Sequence, residues 1–155
     1  MTKKLETQLR QLYEIDYLKW IETTLEKLRN QDYSAIDWDN LIDEIEDMGK
    51  RERRSLKSNL IVVLTHFLKW QYQPELRSSS WKGSIVEHRR RIRESLQDSP
   101  SLKAYLETVF SQCYADAIAQ ATAETELPKE TFPEVSPYTL MQVFDANFLP
   151  GKDSI

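Results

Sequence analysis

Apolar residues recur at three- and four-residue spacing along nearly the whole chain, which predicts a succession of amphipathic helices and no sheet. Leu5, Leu9 and Leu12 keep this period ahead of Asp16, as a helical turn or two that docks loosely. Asp16 can cap a helix carrying Tyr17, Trp20, Ile21, Thr24, Leu25 and Leu28, with Asn30 near its end. Asp37 offers its carboxylate to the first N–H groups of a second helix, with Trp38, Leu41, Ile42, Ile45 and Met48 on its core face. Gly49 is its expected stop, because a straight continuation would carry Glu52 onto the same buried face as Ile45 and Met48. From about Arg53 to Gln71 two stripes run side by side, Leu56, Leu60, Val63, Leu64 and Phe67 beside Asn59, Val62, His66 and Trp70, so this helix belongs at the centre.

Gln73 to Ser80 reads as a connection, with Ser80 as cap of a helix turning Trp81, Ile85, His88, Ile92 and Leu96 inward. Ser99-Pro100 is a start signal for a long helix with Leu102, Leu106, Val109, Cys113 and Ala117 as its stripe, ending by Pro128. Alanines between 115 and 123 would let a neighbouring helix approach closely. Ser136-Pro137 opens a short last helix with Leu140, Val143 and Phe144, followed by a polar tail. The fold class is therefore all-α: a compact single-domain bundle of about five to six helices with a long central one. Residues 1–12 form a loosely docked segment, 13–150 the domain and 151–155 the tail.

Composition narrows the function classes. Forty per cent hydrophobic and 30% charged residues over 155 positions suit a packed globule, and three glycines leave no phosphate-cradling loop. The single Cys113 forms no intramolecular disulfide and no basic-then-apolar leader opens the chain, so a cytoplasmic setting is expected. The longest apolar run, Leu60 to Leu64, falls far short of the roughly 20 residues of a bilayer span, and no membrane association is expected. A net charge of −4 disfavours nucleic acid.

Four polar features bear on chemistry. The acids Asp37, Asp39, Asp43, Glu44, Glu46 and Asp47 lack an interspersed base, but Glu44 and Glu46 project to opposite flanks, so a solvated acidic face is preferred over a metal site. His66 and His88 follow Val63 and Ile85 at the position where a di-iron motif needs glutamate, and no zinc spacing exists; both read as core-edge residues. Ser78, Ser79 and Ser80 lack a nucleophile elbow and suit capping. Two basic runs, Lys50 to Arg54 and Arg89 to Arg93, could grip phosphates, yet intramolecular pairing or solvation is the preferred reading.

The order of unusual residues adds more. The chain reads Tyr13-x-x-Asp16, Trp20, Leu41-x-x-Glu44-Ile45-Glu46-x-x-Gly49, His66-Phe67-Leu68-Lys69-Trp70, Gln71-Tyr72-Gln73-Pro74, Arg77, Ser80-Trp81, Arg89, Ser99-Pro100-Ser101-Leu102 and Pro133-x-x-x-Pro137-Tyr138. It resembles, from about Tyr13 to Pro150, the bacterial family called domain of unknown function twenty-nine, with Phe67 in place of the usual leucine and Asp43 in place of a frequent glutamate. The resemblance implies a compact all-α bundle in a bacterial cytosolic protein, and no agreed activity. It singles out Glu44, Glu46, His66, Lys69, Arg77 and Arg89 as candidate polar residues, with Trp81 as a wall. Their structural alternative is an ion network that fixes how helices cross. No complete catalytic motif, metal set or cofactor is assigned. The leading expectation is a non-catalytic module that binds a protein partner or self-associates; the alternatives are a metal-assisted hydrolase or nuclease using Glu44, Glu46 and His66 with Arg77, Lys69 and Arg89, and weak nucleic-acid binding by the Arg89–Arg93 stripe.

Overall fold

The computed structural model describes residues 2–151, and their side chains from residue 8 onward. The Leu5 side chain and the tail beyond Gly151 lie outside the described residues. Six α-helices and three short 3-10 turns make up the regular structure, with no strand among the described residues. The helices are α1 (Thr2–Ile15), α2 (Tyr17–Arg29), α3 (Trp38–Tyr72), α4 (Ser79–Asp98), α5 (Leu102–Thr125) and α6 (Leu140–Phe144). None is long and apolar enough to cross a membrane. Two units divide the chain, Met1–Lys50 and Arg51–Ile155.

In the first unit α1 packs on α2. Asp16 breaks the chain between them and caps α2 by accepting from the Lys19 N–H at 3.1 Å, as its spacing predicts. Leu9, Trp20, Thr24, Ala35, Ile36 and Asp37 are buried. Ile21 and Leu25, expected inside, are exposed, because the buried side of α2 passes through Trp20 and Thr24.

The second unit is built on the Arg51–Tyr72 part of α3, where Leu56, Leu60, Val63, Leu64, Phe67 and Leu68 are fully buried. Each such side chain contributes on the order of 1.5–3 kcal/mol relative to exposure. Ile85 and Ile92 of α4, Leu106, Cys113, Ala117 and Ala121 of α5, and Val143 of α6 belong to the same core. Phe67 meets Tyr138 and Phe148 edge-on at 5.2 and 5.4 Å.

Four boundaries differ from expectation. Helix α3 runs through Gly49 without a stop, and Glu52, Ile45 and Met48 are all exposed. Ser78, not Ser80, caps α4, accepting from the Trp81 N–H at 3.2 Å. Ser99 closes α4 and its carbonyl accepts from Leu102 N–H in a turn through Pro100, so α5 begins two residues after that proline. The α5 C-terminus at Glu126 adopts a left-handed conformation, ahead of Pro128 as anticipated. Helix α6 is capped by a reciprocal Thr139–Gln142 box, two residues beyond Pro137.

Candidate functional site

The candidate polar residues fall into the two units, and each set stands by itself. In the first, Glu44 on α3 accepts two phenolic hydrogen bonds, from Tyr13 at 2.6 Å and Tyr17 at 2.5 Å. Tyr13, Tyr17 and Trp20 form an aromatic group, with Tyr13 and Trp20 edge-to-face at 4.9 Å. Donation to Glu44 holds the Tyr13 hydroxyl neutral and pushes its pKa up to about 12. A carboxylate given to two phenols is occupied in orienting helices, whereas Glu46, two residues on, is exposed. The two do not converge on one face, in keeping with the 100° step between residues.

The Asp37 carbonyl accepts from the Leu41 N–H at the start of α3, but its carboxylate, expected to cap that helix, accepts from other side chains instead. Its side chain is fully buried, accepting from the Trp20 indole N–H at 3.3 Å and the Asn40 amide at 2.6 Å, with the Arg10 guanidinium 3.8 Å away. A buried carboxylate with such partners fastens α2 and the start of α3 together. The sequence signals only its capping position; the indole partner arrives from another helix.

In the second unit Lys69 and Trp81 come together, with His66 three residues before Lys69 on α3. The Lys69 ammonium lies 4.6 Å from the Trp81 ring centroid and 3.7 Å from the Glu124 carboxylate, in a buried position. Cation–π and ionic partners of this kind offset the desolvation of a buried ammonium. Glu124, contributed by α5, carries no motif in the sequence. His66 donates its Nδ1–H to the Val62 carbonyl at 2.8 Å, which leaves Nε2 as the acceptor. Burial, reinforced by nearby Lys69 and His88, holds His66 below its ordinary pKa and keeps the ring neutral at pH 7. His88 likewise donates to the Ser84 carbonyl one turn back, at 2.7 Å.

Arg77 and Arg89 are used separately. Arg77 donates to the Trp70 carbonyl at 2.8 Å and lies 5.1 Å over the Trp70 ring, beside Gly151. Arg89 is buried, its guanidinium 4.9 Å over Phe67, and donates to the carbonyls of Val143 and Gln142 at 2.8 and 2.9 Å. It thereby satisfies the end of α6. Of the Arg89–Arg93 run, Arg89 is thus turned inward and Arg93 is exposed, while Arg90 and Arg91 are paired with Glu94 and Glu87 one turn away. Among the described residues no three of His, Cys, Asp and Glu gather to hold a metal ion.

The family model described as "Domain of unknown function DUF29" matches residues 12–149. The chain belongs to the DUF29 family. No curated protein and no solved structure matches it. The DUF29 match spans both units and closes at Leu149, a buried residue of the second.

Proposed function

We propose that this DUF29 protein is a non-catalytic helical interaction module that engages another protein chain through its first unit. One observation carries the reading. Trp38, Ile42, Ile45 and Met48 recur along α3 at helical spacing, yet stand 46, 53, 60 and 57% exposed. An apolar stripe of this period ordinarily faces a core, and large apolar surfaces left in water mark interaction sites. Leu18, Ile21 and Leu25 of α2 are exposed in the same way. The polar residues favoured by family resemblance act in this reading as struts: Glu44 accepts from two tyrosines, Arg89 donates to two carbonyls and Lys69 is sandwiched. A reducing cytosol fits the buried thiol of Cys113.

The test is the mass of the intact protein, purified gently and measured with non-covalent complexes preserved, beside the double variant Ile42→Glu/Ile45→Glu. The native chain is expected in a complex and the variant alone, with the same circular dichroism. A native chain that is monomeric and bare, or one that turns over a substrate and loses that activity in His66→Ala, overturns the reading.

A further inference from the structure

The interaction reading leaves the partner's chemistry open, and the flanks of the α3 stripe specify it. At 100° per residue, Trp38, Ile42, Ile45 and Met48 cover an arc of about 120°. On one edge stands Glu44, engaged by Tyr13 and Tyr17. On the other edge the same step places Asp39, Asp43 and Glu46. Asp39 lies 3.5 Å from the Arg10 guanidinium, while no ion pair engages Asp43 or Glu46 among the described residues. No lysine or arginine occurs from Trp38 through Gly49. On its open side the stripe is therefore bordered chiefly by carboxylates, Asp43 and Glu46, with Asp39 paired to Arg10 and Lys50 following one turn after Glu46.

We propose that the stripe receives an amphipathic helix of another protein whose apolar face is bordered by lysines or arginines. The inference rests on the interaction reading and adds the charge of the partner. Carboxylates beside an apolar seam favour cations on the facing helix and penalise acids, which is how flanking charges choose partners in paired helices. A second copy laid stripe to stripe would set the Asp43 and Glu46 edge against the same edge when antiparallel and against the Glu44 edge when parallel, an acidic edge in both cases. An anionic bilayer surface or a nucleic acid would meet the same repulsion.

The test uses the full chain and two synthetic 18-residue amphipathic peptides sharing one leucine pattern, one with lysine and the other with glutamate at every polar position. Binding is followed by fluorescence polarisation, with sedimentation of the protein alone. The lysine peptide is expected to bind at least about 10-fold more tightly than the glutamate peptide, and to weaken with added salt. Asp43→Lys/Glu46→Lys is expected to reverse that preference, and Asp43→Asn/Glu46→Gln to abolish it; all four substitutions lie on exposed positions. Equal binding of the peptides, or a lysine preference untouched by the charge reversal, overturns the proposal. So does a homodimer that Ile42→Glu/Ile45→Glu dissolves, although that result leaves the interaction reading standing. A chain that binds neither peptide and neither dimerises nor co-purifies with a partner overturns both.

Discussion

Arg89 is a charged residue in the interior, spent on the last carbonyls of a five-residue helix. Burial pushes its guanidinium below the usual arginine value and the nearby Asp145 opposes that shift, so the cation is retained by its partners. In the sequence it stands inside a run of arginines and reads as surface; only family resemblance singles it out. The same holds for Lys69, whose pairing with Trp81 fits the expected wall, but whose Glu124 partner comes from α5 and leaves no local signal. Arg89→Met keeps much of the volume and leaves the Val143 and Gln142 carbonyls without their donor. It is expected to destabilise the protein by about 2–3 kcal/mol in urea unfolding. A loss under about 0.5 kcal/mol, the range of ordinary surface substitutions, would remove the strut role.

Helix α3 shows why an element boundary can be misjudged although its period is legible. The apolar spacing from Trp38 to Met48 was readable, and it implied a core face that Glu52 could not join. The premise was the burial of Ile45 and Met48. Both are exposed, so Glu52 shares their face in solvent and pays no desolvation cost, and the helix runs on for 35 residues. Where burial was real the pattern placed the core well, as with Leu56 to Phe67 and with Ile85 and Ile92. Ser99-Pro100 has the form of a helix start signal, but both residues are used in the turn that separates α4 from α5. Gly49 is consequently an interior helical glycine, and a Cβ added there meets nothing within 4 Å. Gly49→Ala is expected to raise stability by about 0.5–1 kcal/mol in thermal or urea unfolding, through helix propensity and a less flexible unfolded chain. A loss instead would mean that the glycine serves as a stop.

At the scale of the molecule, the family match and the helical continuity bear on cooperativity. The two units meet at Lys50 and Arg51, inside α3, and the DUF29 match runs across that junction without interruption. A helix is a cooperative object: melting residues before the junction strips backbone hydrogen bonds from the turn that follows. Among the described residues the first unit buries few apolar side chains, chiefly Leu9, Trp20, Ala35 and Ile36, against a far larger core in the second. A 50-residue unit with so small a core has little stability of its own. We therefore propose that residues 13–150 unfold as one domain. Differential scanning calorimetry of the whole chain is expected to show a single transition, with calorimetric and van't Hoff enthalpies in a ratio near one. Two transitions, the lower one selectively destabilised by Trp20→Ala, would instead make the first unit an independently folding domain joined to the second through a shared helix.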